Sequence, residues 1–458
     1  MPIATMNPTT GETVETFDPH DGTEVERRLR RSAAAGLALR DCTFAQRAEW
    51  MQGAAAALEA DIDTAAAMIT LEMGKPITQA VAEVSKSIAG MRFYADRAES
   101  FLADRPLGEP EAVDASRAWT MWQPMGTVLA VMPWNFPLWQ VMRFAAPALM
   151  AGNTGLLKHA SNVPRAALYL ESLFAKAGFP PGSFQTLLVS SADIADIIAD
   201  DRVAAVTVTG SEQAGRSIAG TAGANIKKSV LELGGSDPFI VMPSADLEEA
   251  AATAVRARVQ NNGQSCIAAK RFIVHTEIYD EFMERFVDGM SRLTLGDPMN
   301  EDTDVGPLAT ASGRDDLVSL VDDAVGKGAE VLLGATATDG PGWFYPPTVL
   351  AGLTAQMRIV SEEAFGPVAS VYRINDHAEA LRVANQTAFG LSSAIWTHDT
   401  DEQQYFIREL AAGAVFVNGM TESSAELPFG GVKNSGYGRE MSEAGIREFC
   451  NLKAIWKE

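Results

Sequence analysis

The chain has 458 residues, 47% of them hydrophobic and 21% charged. That is a globular composition, which excludes a disordered or fibrous protein, and ~150 residues per domain predicts about three domains, or two large ones with an appendage. With 37 basic and 59 acidic side chains the net charge is −22, which argues against nucleic acid or an anionic membrane as a bulk partner.

The first hundred residues read as mostly helical, and Thr23 with Glu26 forms a capping-box pattern ahead of VERRLRRSAAAGLALR. The start has no charged-then-apolar leader, and no apolar run approaches ~20 residues, so a cytoplasmic protein is expected. Segment 117–125 (RAWTMWQPM) reads as an exposed-edge strand that needs a partner. From 125 to 240, the apolar runs GTVLAV, TGLLKH, QTLLVS, AVTVTG and KSVLEL alternate with helical patterns. Such alternation predicts a parallel, doubly wound sheet. A second α/β unit starts after Pro238, with a capped helix at Asp246 and Glu249. Its strands are RFIVH, EVLLG, VASVYRI, SSAIWTH and AVFVNG. The tail 446–456 is a second edge strand with aromatics.

No complete dinucleotide-binding glycine fingerprint, P-loop, zinc-protease or nucleophile-elbow motif is present, and five scattered histidines suggest no metal cluster. Cys266, in QNNGQSCIAAKR, has a polar, crowded-loop context, whereas Cys42 and Cys450 read as structural thiols. A buried structural thiol and a catalytic thiolate are both open for Cys266. Glu232 is a lone carboxylate in an apolar strand ending in Gly-Gly. Either it points to solvent or its burial raises its pKa for use as a base. Asn135, in MPWNFPLWQ, follows a strand and is either a turn residue or an amide donor to an oxyanion. Gly210-Ser211, in VTVTGSEQAG, opens a helix whose free N–H groups suit a phosphate, and Lys158 ends a parallel strand.

Taken in order, PWNFP (133–137), LLKHAS (156–161), TGS (209–211), LELGG (231–235), GQSC (263–266), EEAFGPV (362–368) and PFGGVKNSGYGRE (428–440) resemble the aldehyde dehydrogenase superfamily over nearly the whole chain. The phrases WNFPLWQVMR and LELGGSDPFIV are similar to its succinate-semialdehyde branch. The resemblance implies an α/β fold of two doubly wound Rossmann-type domains plus a small β oligomerisation appendage. It divides the chain into a cofactor-binding domain (1–113 and 133–236), a catalytic domain (237–437) and oligomerisation strands (114–132 and 438–458), assembled as a homodimer or homotetramer.

It further implies that Cys266 is the nucleophile, that Asn135 and the Cys266 N–H hold the oxyanion, and that Glu232 activates the water that hydrolyses a thioester. Trp134, Asn135, Lys158, His159, Ala160, Ser161, Gly210, Ser211, Gly215, Leu233, Glu363 and Phe365 would line the cofactor path. Family members that prefer NAD often have a Glu where this chain has Ser161, so NADP is expected, with NAD possible. Arg143 and Ser423 match substrate-contacting positions, and an Arg there suits a carboxylate at the far end of a short aldehyde such as succinate semialdehyde. A second family arginine is replaced by Gln260. Other ω-carboxylated aldehydes remain alternatives. A CoA-acylating enzyme is disfavoured by Glu232, and a non-catalytic member by retention of both Cys266 and Glu232. No metal is expected.

Overall fold

A computed structural model describes residues 2–458, and its first element is a hairpin that the sequence pattern did not announce. Strands β1 (Ile3–Asn7) and β2 (Glu12–Phe17) pair antiparallel across a turn closed by Gly11 at φ 77°. Thr5 Oγ1 pins the hairpin by donating to Glu72 Oε1 at 2.6 Å. Four helices follow: α1 (Gly22–Asp41), α2 (Phe44–Ala60), α3 (Ile62–Met73) and α4 (Ile77–Phe101). The cap of α1 is Asp21 and not the expected Thr23–Glu26 pair. Asp21 Oδ1 accepts from Glu24 N at 2.8 Å, which places Thr23 inside the helix, and Glu26 pairs with Arg202 at 2.7 Å.

The edge strands find partners within the chain. Strand β3 (Arg105–Pro106), β4 (Arg117–Pro124) and the C-terminal strand, Cys450–Lys457, form a three-stranded sheet in which Cys450 faces Pro124 and Lys457 faces Arg117. Strand β5 (Thr127–Met132) does not belong to it, which corrects the expected appendage of 114–132. Its fully buried Val128, Leu129 and Ala130 need cover on both faces, and β5 lies at the centre of a six-stranded sheet.

That sheet continues through α5 (Trp139–Ala151), β6 (Thr154–His159), α6 (Pro164–Lys176), β7 (Phe184–Thr186), α7 (Ile194–Ala199), β8 (Val203–Thr209), α8 (Glu212–Ala224) and β9 (Lys228–Glu232). The chain winds outward from β5 first through β6 and β7, then through β8 and β9. The reversal leaves a crevice at the carboxyl ends of β5 and β8, the position where open α/β sheets take ligands. PWNFP follows β5 there and Gly210-Ser211 follows β8.

The second unit holds β10 (Pro238–Val241), α9 (Leu247–Val259), β11 (Arg271–His275), α10 (Tyr279–Ser291), α11 (Ala311–Gly326), β12 (Glu330–Leu333), β13 (Thr348–Ala351), β14 (Val368–Ile374), α12 (His377–Asn385), β15 (Ala394–Trp396), α13 (Thr400–Glu409) and β16 (Phe416–Val417). Asp246 caps α9 as expected, accepting from Glu249 N at 3.1 Å. The sheet order is β12-β13-β14-β11-β10-β15-β16, with β12 antiparallel and the rest parallel.

After it, β17 (Gly436–Tyr437) crosses back to pair with β9, then α14 (Ser442–Glu448) packs on α4 and α5 before β18 (Cys450–Lys457). Residues 438–458 are therefore more than an appendage, and 446–448 are helical where a strand was expected. The two doubly wound units and the small sheet match the expected architecture. Among the described residues no helix is long and apolar enough to cross a membrane, and no cluster of His, Cys, Asp or Glu is arranged to hold a metal.

Candidate active site

The loop ahead of Cys266 is built against backbone preference. Asn261, Asn262 and Gly263 take φ of 54°, 58° and 72° in succession, a left-handed run that costs energy at each non-glycine. Gly263 is required because a Cβ there would lie 2.3 Å from the Gly366 backbone. Polar side chains hold the run in place. Asn262 Nδ2 donates to the carbonyls of Gly74 (2.8 Å) and Pro307 (2.9 Å), and Arg258 Nη2 donates to Gly263 O at 2.8 Å. Lys270 Nζ donates to the carbonyls of Ser265 and Cys266 at 2.6 Å each. The loop that carries Cys266 is therefore fixed by side chains from its own flanks and by bonds to two other parts of the chain.

Cys266 is half-buried, and its thiol pKa is pushed up to about 12 by burial, with Arg143 and Lys270 pulling the other way. Asn135 is buried beside it and donates through Nδ2 to Gln264 O at 3.0 Å; its own carbonyl accepts from Asn261 Nδ2 at 2.6 Å. The second amide hydrogen of Asn135 is left for a ligand. Glu232 ends β9 only 2% exposed, which settles its two readings in favour of burial. Neither carboxylate oxygen has a hydrogen-bond partner among the described residues. Burial raises its pKa well above the usual carboxylate range, nearby Glu440 adds to the rise, and Arg143 opposes it.

Arg143 occupies the cavity wall as expected, paired on one side with a carboxylate while its buried Nη2 has no hydrogen-bond partner among the described residues. Its Nε stands 2.7 Å from Glu440 Oε2, both side chains are buried, and its guanidinium lies 4.6 Å from the Phe429 ring centroid. Burial raises the Glu440 pKa and Arg143 counters it. Sequence reasoning missed Glu440, Lys270 and Lys86. The signal for Glu440 was a carboxylate closing the PFGG…GRE segment, and for Lys270 a lysine at the mouth of an apolar strand.

The cofactor side can be tested against the residues present. A Cβ at Gly215 would meet Leu233 Cδ2 at 2.5 Å, whereas one at Gly210 would meet nothing within 4 Å. The start of α8 is thus packed tightly on one side and open on the other. Ser211 caps it, accepting from Ala214 N at 3.2 Å, and the first-turn N–H groups ahead of Ala214 are left for an anion. Lys158, at the end of β6, is desolvated, with its pKa lowered by burial. Ala160 and Ser161 line a cleft with Leu188 and Val189, and no carboxylate is among its lining residues.

Trp134 and Phe365 meet edge to face at 5.9 Å, and Glu363 Oε1 lies 3.0 Å from Lys270 Nζ. These groups fit a dinucleotide. His159 lines the same cleft as Ala160 and Ser161, and its ring is engaged by backbone groups. Its Nδ1 accepts from Ala160 N at 3.0 Å, so Nε2 donates to Pro137 O at 2.9 Å, which ties β6 to the PWNFP turn.

On the other side of Cys266 lies a cavity of about 730 Å³ whose wall includes Lys86, Trp139, Arg143, Gln260 and Ser423. Ser423 Oγ accepts from Trp139 Nε1 at 2.9 Å. Cys266 thus lines a cavity of substrate size, with the Asn135 amide bonded to the loop ahead of it and Glu232 buried at the end of β9.

Comparison with known proteins agrees with this geometry. The Aldehyde dehydrogenase family model matches residues 1–455. The chain is 60% identical over 457 residues to a succinate-semialdehyde dehydrogenase [NADP(+)] of Mycobacterium avium (strain 104), covering 100% of this chain and 97% of that one. It is 58% identical to succinate-semialdehyde dehydrogenase [NADP(+)] 1 of Mycobacterium tuberculosis (strain ATCC 25618 / H37Rv), with both chains covered in full. A crystal structure of succinic semialdehyde dehydrogenase from Streptococcus pyogenes in complex with NADP+ superposes with a TM-score of 0.96 at 38% identity, over 99% of each chain. The chain belongs to the aldehyde dehydrogenase family.

Proposed function

We propose that this protein oxidises succinate semialdehyde to succinate with NADP. The observation that supports this reading best is Cys266 on the wall of a substrate-sized cavity, with the Asn135 amide bonded to its loop, Glu232 buried without a hydrogen-bond partner, and Ser161 in a cleft lined by no carboxylate. Burial keeps the Cys266 thiol protonated in the resting site, and the raised pKa of Glu232 suits it to take that proton. The thiolate adds to the aldehyde carbon, forming a C–S bond. The oxygen gains the electron pair and takes hydrogen bonds from Asn135 Nδ2 and the Cys266 N–H.

A bound nicotinamide dinucleotide supplies the hydride acceptor for this adduct. The acyl group then remains on Cys266 as a thioester. Glu232, having passed the thiol proton to solvent, takes a proton from water; hydroxide adds to the thioester carbon, the C–S bond breaks, and the acid proton passes to the leaving sulfur, giving carboxylate and the Cys266 thiol.

On the cofactor side, Lys158 and the first-turn N–H groups of α8 would hold phosphate charge, and Ser161 presents no carboxylate to repel a 2′-phosphate. The exposed Leu452 and Trp456 on β18, whose outer edge pairs with no described strand, favour a homo-oligomer. Its working compartment would be the cytoplasm. Steady-state rates with succinate semialdehyde, glutarate semialdehyde and butanal, each with NADP and NAD, test the reading. The highest kcat/KM should fall on succinate semialdehyde with NADP. Equal use of butanal, or a preference for NAD, contradicts it.

A further inference from the structure

We infer that Glu83, on α4, is a positioning residue that sets the Asn135 amide against Cys266. The inference rests on the oxyanion role proposed above for Asn135. Leu138, three residues after Asn135, is the N-cap of α5 and brings no side-chain acceptor to the free N–H groups of the helix start. Glu83 supplies that acceptor from a distant part of the chain. Its Oε1 accepts from Leu138 N at 2.9 Å and from Trp139 N at 3.0 Å. Its Oε2 accepts from Lys75 Nζ, and the Lys75 ammonium lies 3.9 Å from the Phe136 ring centroid. Both side chains are almost fully buried. One carboxylate is thus engaged through both oxygens, and each engagement bears on residues beside Asn135.

The same short stretch also grips the loop of the nucleophile. Gly74, which ends α3, accepts from Asn262 Nδ2 at 2.8 Å, and Gln79 Oε1, in the first turn of α4, accepts from Asn261 N at 2.7 Å. Asn261 in turn donates through Nδ2 to Asn135 O at 2.6 Å and to Gln264 O at 3.0 Å. A Cβ at Gly74 would lie 2.6 Å from Pro307 O, so the backbones meet there with no room for a side chain.

Residues 74–83 therefore form a bracket. Glu83 holds the PWNFP turn, Gly74 and Gln79 hold the loop ahead of Cys266, and Asn261 ties the two together. Displacing such a pair of reacting groups by about 1 Å costs on the order of 10²-fold in rate.

The test compares two double variants that differ at residue 83 alone. Lys75→Met with Glu83→Gln keeps an acceptor oxygen for the start of α5. Lys75→Met with Glu83→Met fills the same space without one, and neither pair strands a buried charge. Single-turnover formation of reduced cofactor from NADP and saturating succinate semialdehyde is measured for each, with Asn135 present and in an Asn135→Ala background. With Asn135 present, the Glu83→Met pair should be at least about tenfold slower than the Glu83→Gln pair, with the same Kd for NADP. In the Asn135→Ala background the gap should close to less than about twofold, because the group being positioned is gone. A gap that persists there, or that never opens with Asn135 present, overturns the bracket alone. Gln79→Met, at a half-buried position that the fold tolerates more readily, repeats the cycle from the nucleophile side with the same expected result, and additive losses there also overturn the bracket. An Asn135→Ala enzyme as fast as wild type overturns the oxyanion reading, and the bracket with it.

Discussion

The ammonium of Lys270 stands 3.0 Å from Glu363 Oε1 while it donates to the carbonyl of Cys266 at 2.6 Å. One buried cation therefore joins the Glu363 carboxylate to the loop that carries the thiol. Its positive charge also lowers the Cys266 pKa against the upward pull of burial. Lys270→Met should raise that pKa and slow alkylation of Cys266 by iodoacetamide near neutral pH about tenfold, the effect of one pKa unit. The rate–pH profile should move to higher pH, whereas an unmoved profile would leave Lys270 with a purely structural part.

Removing Arg143 should not discriminate between substrates. Arg143→Ala leaves Glu440 buried without its counter-charge and strips Glu232 of the cation that opposes its raised pKa. Breaking a buried pair of this kind costs about 3–5 kcal/mol of stability. The rates for succinate semialdehyde and butanal should fall together, and the pH at which hydrolysis turns on should rise. A loss confined to the carboxylated aldehyde would return Arg143 to the role of carboxylate ligand.

Ser161→Glu places a carboxylate in a cleft whose lining otherwise has none. Repulsion of a 2′-phosphate should lower kcat/KM for NADP at least about tenfold while use of NAD holds or improves. Initial rates with each cofactor at saturating aldehyde decide it.

Acid should destabilise the fold in part through His159. Burial lowers its pKa from 6.5 to about 4. A histidine with a depressed folded pKa contributes stability that is complete above pH 6.5 and is lost as pH falls toward 4, by about 3 kcal/mol. Urea unfolding of His159→Gln should show a shallower decline over that window than wild type. A parallel decline would assign the acid sensitivity to other groups.

Much of the fold was legible because its strands are near-continuous apolar runs. RFIVH and TGLLKH correspond residue for residue to β11 and β6. The N-terminal hairpin was not, since the outward β2, ETVETF, is almost wholly exposed and has no apolar face to signal it. Cys266, Glu232 and Asn135 stood out because polar groups in such contexts are costly unless used. Glu440 and Lys270 did not, because each depends on a partner far away in the chain: Arg143 on α5, and Glu363 ahead of β14. Pairing across that separation leaves no local pattern.

The most direct test of the account is rapid quench of Glu232→Gln enzyme mixed with NADP and succinate semialdehyde, followed by peptide mass analysis. With thioester hydrolysis blocked, a single burst of reduced cofactor should accompany a succinyl adduct on the peptide that contains Cys266. A burst without that adduct, or an adduct on Cys42 or Cys450, would contradict the assignment of Cys266 as the acyl carrier.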